Sequence, residues 1–211
     1  MPKRSLAAQQ QLPPLSMAFG GWDPLGVRPR FGSYRGLVRL MLAHIENGIG
    51  GYRHLKQIRW DRVKRVVFVC HGNICRSPYA EHSAASYGLP SASFGLAAEP
   101  GMPADPSALG LAARRAIELA DHRACAAADF EFHSGDLLVV MEPRQARAMF
   151  RSVPTVPCQV TLLGLWSRPR RPHLHDPHRL SEAYWEQCFD VIDSAVRAIA
   201  ERTRLNPPDE S

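Results

Sequence analysis

The sequence predicts an α/β fold, three-layered and doubly wound: a four-stranded parallel sheet with helices on both faces and a phosphate-binding loop after strand 1. Three observations predict it. From Val66 onward, short apolar runs rich in β-branched residues alternate with longer segments of helical periodicity. The first run empties into a Gly-containing loop that opens a helix. Residues 63–205, about 140 in all, suffice for one hydrophobic core.

Val66 to Val69 is the first strand, and the helix Pro78 to Tyr87 follows it, with Pro78 suited to a first helical position. Ala92 to Ala97 is the second strand, Pro106 to Leu119 a helix, and Ala124 to Phe130 a short helical stretch. Leu137 to Met141 is an apolar run of the kind buried on both sides in parallel sheets. The helix Arg144 to Phe150, the strand Gln159 to Leu163 and an irregular stretch from Gly164 to Leu180 lead to the last helix, Ser181 to Arg204. That helix carries Tyr184, Trp185, Cys188, Phe189, Ile192, Ala195 and Ile199 at helical spacing, a stripe that belongs in the core.

The chemistry lies in VVFVCHGNICRSPYAE, residues 66–81. Five residues separate Cys70 from Arg76, so the chain can curl until successive backbone N–H groups converge as an anion nest capped by a helix N-terminus. Gly72 and Asn73 tolerate the left-handed backbone such a curl needs. The fork of Arg76 bonds two phosphate oxygens where lysine offers a point charge. This field favours the Cys70 thiolate as nucleophile, and Ser77 is placed to donate a hydrogen bond to it. Taken singly, a cysteine at a strand end is a small buried hydrophobe and Gly-Asn is a turn. Strand, C-x5-R-S and helix together point to a phosphate-binding cysteine nucleophile.

Cys70-His71-Gly72-Asn73-Ile74-Cys75-Arg76-Ser77-Pro78 resembles the signature loop of the low-molecular-weight protein tyrosine phosphatases. Ser93-Phe94-Gly95-Leu96 and Gly101-Met102-Pro103-Ala104-Asp105 are similar to that family's second strand and following turn, with Phe94 in place of a usual small residue. His122-Arg123 falls where the family keeps a His-Arg pair. The resemblance implies that Ser93 and His122 support Asn73; a surface histidine beside Asp121 is the other reading of His122.

A tyrosyl leaving group, with a pKa of about 10, needs a positioned acid. His175-Asp176-Pro177-His178 resembles the family's acid-bearing loop, which implies Asp176 as general acid and then general base. Asp-Pro alone is also a common turn opener. His178 stands where the family has an aromatic residue, so the wall of the site is titratable. Ile74, where related protein-arginine phosphatases carry Thr, favours a phosphotyrosine ring. Arg168, Arg170, Arg171 and His173 flank the acid loop and are read either as a rim that attracts anionic peptides or as solvated charge. Cys75 is either a loop-filling residue or the partner of Cys70 in a protective disulfide.

The chain has 211 residues and a net charge of +6, with +9 carried by residues 1–65 and −3 by the remainder. Five cysteines without paired spacing argue for a reducing compartment, and neither a signal-peptide core nor an apolar run of about 18 residues occurs, so a cytoplasmic location is expected. The expected organisation is a flexible leader, 1–32, a basic and partly helical extension, 33–62, the phosphatase domain, 63–205, and a tail, 206–211. Gly36 to Ile45 reads as a short amphipathic helix whose apolar face either packs on the enzyme or docks to an acidic membrane or partner.

HDPHRLSEAYWEQCFDVID looks closest to the branch encoded with bacterial capsule and exopolysaccharide machinery, which implies a membrane tyrosine kinase as the phosphotyrosine substrate. No metal or cofactor is expected, and no motif for nucleic acid occurs. Two other functions fit the scaffold. An arsenate reductase needs a resolving cysteine pair that the widely separated Cys125, Cys158 and Cys188 do not supply. A weakly active phosphotyrosine-binding module is the other.

Overall fold

Four parallel strands in the order β2-β1-β3-β4 form the sheet. The structure is a computed structural model that describes residue 23 and residues 25–151 and 157–206. In chain order the elements are α1 (Val27–Phe31), α2 (Tyr34–Gly48), β1 (Arg65–Cys70), α3 (Arg76–Ala85), β2 (Ser91–Gly95), α4 (Pro106–Arg114), β3 (Asp136–Val140), α5 (Pro143–Arg151), β4 (Gln159–Leu162) and α6 (Glu182–Leu205).

Strand alternation sorts the core into two layers. Val66, Phe68 and Cys70 of β1, with Leu137 and Val139 of β3, face the cluster built by α3, α4 and α6. Val67, Val69, Leu138 and Val140 face the other side, where Ala146 and Met149 of α5 are joined by Ala43, Tyr52 and Leu55 of the N-terminal extension. The extension therefore covers part of a sheet face. β1 pairs with β2 on one side and with β3 on the other, so the chain reverses its direction of travel across the sheet between those neighbours. In such sheets the crevice for a ligand opens at the strand carboxyl ends beside that reversal. Cys70 is the last residue of β1 and lies there.

Several boundaries differ from the sequence reading. Helix α3 opens at Arg76 with Cys75 as N-cap, so Pro78 sits in the first turn rather than at its start; the N–H that proline lacks has no intrahelical partner there. Helix α4 stops at Arg114, five residues short of Leu119, because Ala116 takes a φ of 56°. The N–H groups of Ala116 and Ile117 turn back onto the carbonyls of Ala113 and Ala112, closing a Schellman cap.

Ala124 to Phe130 is not helical. Ala126 forms a parallel bridge with Gly95, and Gly95 N donates to Cys125 O while Ala127 N donates to Gly95 O. Pairing at the sheet edge overrides the helical preference of an alanine-rich run. Helix α2 extends Gly36 to Ile45 at both ends, with Ser33 Oγ accepting from Gly36 N as its N-cap. Residues 27–31, placed in the leader by the sequence reading, are helical, and the Asp23 carboxylate accepts from Val27 N and Arg28 N. The expectations for residues 1–22, 24 and 207–211 lie outside the described residues. Among the described residues no helix is long and apolar enough to cross a membrane.

Candidate active site

The loop between β1 and α3 is organised around the sulfur of Cys70, which is buried at the strand end. Asn73 N donates to Cys70 Sγ at 3.2 Å and Ser77 Oγ donates to it at 3.0 Å. Asn73 adopts a φ of 52°, the left-handed conformation that returns the chain toward Cys70. Four further contacts hold this fully buried residue in place. Its Nδ2 donates to Ser77 Oγ at 2.9 Å and to Ser93 Oγ at 2.8 Å. Its Oδ1 accepts from Cys125 N at 2.8 Å, and its backbone carbonyl lies 2.7 Å from His122 Nε2. A carbonyl oxygen only accepts, so Nε2 carries the proton it donates, and burial lowers the pKa of the ring. Ser93 is anchored in turn, donating to Glu81 Oε2 at 2.6 Å.

Arg76 is completely buried at the start of α3. Its Nη1 donates to Glu142 Oε1 at 2.9 Å and to Leu174 O at 2.8 Å, and its Nη2 donates to Asp176 Oδ2 at 2.7 Å. Burial works against its charge, and the Asp176 and Glu142 carboxylates more than offset it. The Arg76 Nε–H finds no acceptor among the described residues. Glu142 follows β3 at the same end of the sheet and is 1% exposed. Burial works against its carboxylate, but the charges and hydrogen bonds of Arg76 and Arg144 hold its pKa down at about 2.

Asp176 and His178 close the outer side. Asp176 is about one-third exposed, and its Oδ1 accepts from His178 N at 3.2 Å. His178 Nδ1 lies 3.0 Å from Asp105 Oδ2, and Asp105 also caps α4. A shallow pocket of about 100 Å³ is lined by Cys70, His71, Gly72, Ile74, Cys75, Asp176 and His178. Two clusters bring potential metal donors within 4.8 Å of one another: Cys75, Asp105 and His178, and Glu81, His82 and His122. Most of those donors are engaged in the protein contacts already described, which account for their proximity.

The family model for low molecular weight phosphotyrosine protein phosphatase matches residues 65–207. The chain belongs to this family. The chain is 32% identical over 139 residues to the low molecular weight protein-tyrosine-phosphatase Wzb of Salmonella typhi, spanning 65% of this chain and 92% of the relative. It is 33% identical over 144 residues to the probable low molecular weight protein-tyrosine-phosphatase EpsP of Ralstonia solanacearum, spanning 67% of this chain and 97% of the relative. The crystal structure of the Erwinia amylovora tyrosine phosphatase AmsI superimposes with a TM-score of 0.57 at 31% identity, covering 66% of this chain and 92% of that one.

In this phosphatase the structure brings the sequence-selected residues together: Cys70 to Ser77 form one loop, Ser93 and His122 meet at Asn73, and Asp176 meets Arg76. Three expectations at the rim are revised. His173 is buried and lies 3.9 Å from Glu142 Oε2, so it belongs to the interior. Arg171 Nη1 donates to Arg30 O at 2.6 Å instead of projecting over the site. Arg168 and Arg170 line a separate cavity with Trp166 and Arg202. Cys75 is buried, and burial followed by the neighbouring Asp176 and Cys70 pushes its thiol pKa up. All five cysteines are free thiols.

Sequence reasoning missed Glu142, Glu81 and the partnership of Asp105 with His178. Glu142 had a usable signal: a charged residue directly after a buried strand lies at the ligand-bearing end of a doubly wound sheet.

Proposed function

We propose that this protein tyrosine phosphatase hydrolyses phosphotyrosine through a cysteinyl-phosphate, with Cys70 as nucleophile and Asp176 as proton carrier. One observation carries the reading: Asn73 N–H and Ser77 O–H both aim at Cys70 Sγ, while Arg76 links the same loop to Asp176. Those two donors stabilise sulfur as an anion, the form that attacks phosphorus. The phosphoryl oxygens are held by the loop N–H groups and by Arg76, whose buried Nε–H requires an acceptor and whose Nη2 already faces the site. The phosphorus–sulfur bond forms as the phosphorus–oxygen bond to tyrosine breaks, and protonated Asp176 passes its proton to the departing phenolate. A water then attacks phosphorus, Asp176 takes its proton, and the phosphorus–sulfur bond breaks with Ser77 stabilising the returning thiolate.

Steady-state hydrolysis of an aryl phosphate and a phosphotyrosine peptide, under reducing and chelated conditions, tests this. Cys70→Ser abolishes turnover, and Asp176→Asn lowers kcat by about 10²-fold or more. Full activity of Cys70→Ser would sink the mechanism.

The proposed substrate is the tyrosine-rich tail of a membrane tyrosine kinase of exopolysaccharide or capsule export. The His175 to Asp193 segment and the relatives named Wzb and EpsP support it. We further assign the outer face of α2 to an anionic lipid surface at the cytoplasmic side of a membrane. Val38, Met41, Leu42, Ile45 and Ile49 are each more than half exposed along that face, and exposed Arg35 and Arg39 flank them. The one acidic residue of α2, Glu46, is held by Tyr52 and Arg147. Self-pairing through this face would bring like charges together, which disfavours a second copy as its occupant.

A further inference from the structure

The loop that carries Asp176 rests on a part of the chain outside the residues matched by the family model. Ser33, at the start of α2, bonds through Oγ to His175 Nε2 at 3.2 Å, one residue before Asp176. The approach is close along the whole contact. At Gly32 a Cβ would lie 2.8 Å from Leu180 Cδ1 and from Tyr184 Cε1, and at Gly36 it would lie 3.1 Å from the His175 ring. Arg171, at the other end of the acid loop, donates to Arg30 O and stacks its guanidinium over the Phe31 ring at 5.2 Å.

From the core side the same loop is fixed at neighbouring points. Leu174 N donates to Met141 O at 3.0 Å, Leu174 O accepts from Arg76, and Tyr184 OH donates to His175 O at 3.0 Å. The core thus holds the backbone around His175, while the side chain of His175 is held by the extension. Without that hold the ring can change rotamer, and the loop beside Asp176 shifts by a small amount although its backbone bonds to the core remain. Placement of a proton donor within a fraction of an ångström decides its efficiency.

We propose that the α1–α2 segment is a buttress for the acid loop and that Ser33 is a positioning residue, acting on Asp176 through His175. The inference rests on the reading of Asp176 as the general acid. It gives this extended phosphatase a catalytic dependence on residues outside the matched region, 65–207.

A leaving-group comparison tests it on the full chain. Dinitrophenyl phosphate expels an anion that needs no proton, whereas phenyl phosphate requires the acid. Ser33→Gly removes the bond to His175 but keeps a residue competent to start α2, since glycine at an N-cap costs only a few tenths of a kcal/mol relative to serine. The expected result is a loss of roughly fivefold in kcat/KM for phenyl phosphate, the scale of one hydrogen bond, with dinitrophenyl phosphate unchanged. Ser33→Thr restores the parent value. Equal loss on both substrates, or no loss on either, overturns the buttress. Asp176→Asn measured alongside separates the two claims. If it shows the selective loss and Ser33→Gly does not, only the buttress fails; if it loses both substrates equally, the acid assignment fails and the buttress with it.

Discussion

Glu142 Oε1 accepts from Arg76 Nη1 at 2.9 Å and from Arg144 Nη2 at 3.2 Å, and Arg144 Nε lies 2.8 Å from Oε2. Removing the Glu142 charge leaves buried Arg76 with Asp176, itself about one-third exposed, as its remaining carboxylate, so Glu142→Gln is expected to cost about 3 kcal/mol in urea unfolding at pH 7. A change under about 0.5 kcal/mol, the scale of an ordinary surface substitution, would contradict that role. His173 predicts a pH effect. Burial lowers its pKa to about 4, against the ordinary value of 6.5 that the unfolded chain takes, so the folded protein holds it neutral. The unfolded chain binds that proton first as pH falls. The stability His173 contributes is therefore complete above about 6.5 and is lost as pH drops toward 4, by about 2 kcal/mol between pH 7 and 5. His173→Gln should flatten the fall over that window in urea titrations at the two pH values; an unchanged fall would place the acid sensitivity elsewhere. Cys70, Asn73, Arg76 and Ser77 were legible because local spacing alone brings them together. The pairing of Glu142 with Arg76 was not, although the place of Glu142 after a buried strand was a signal, because Arg76 lies 66 positions earlier and only the β1–β3 pairing joins them.

Among the elements, the strands were legible to within a residue or two: β1 and β3 are short apolar runs buried on both faces, while the edge strands β2 and β4 are only partly buried. Helix ends were less so. The left-handed Ala116 that closes α4 carries no glycine or asparagine to announce it, and the irregular run after Arg123 is held by Gly95 and Asn73 rather than by its own composition. Helix α2 was visible as an amphipathic segment, but its two faces have different tasks. Gly36, Leu40 and Ala43 turn inward, while Val38, Met41 and Ile45 stay exposed. Such a stripe with flanking arginines should bind anionic vesicles. In sedimentation with phosphatidylglycerol vesicles the full chain is expected to pellet at low salt, and Val38→Asp with Ile45→Asp to remain in the supernatant with aryl phosphate hydrolysis unchanged. Equal pelleting of the double variant would remove lipid from the account of this face, and a concentration-dependent dimer lost on the same substitutions would assign it to a second copy.

At the scale of the molecule, one parallel sheet supplies two kinds of support to one sulfur. The reversal between β1 and β3 brings the Cys70 loop, Glu142 and the acid loop to the same carboxyl end of the sheet. The N-terminal extension adds to a sheet face through Ala43, Tyr52 and Leu55 and reaches the acid loop through Ser33. Its basic composition was plain in the sequence, but its packing on the catalytic part depends on contacts such as Thr161 Oγ1 donating to Leu55 O, 106 positions apart. In the proposed reaction the phosphoryl group passes through Cys70 Sγ. Rapid-quench mass spectrometry during turnover of an aryl phosphate tests it most directly. The expected result is one phosphoryl group on the peptide containing Cys70, absent in Cys70→Ser. Turnover by the parent with no phosphorylated Cys70 peptide at any quench time, or a phosphoryl group on another residue, would contradict it.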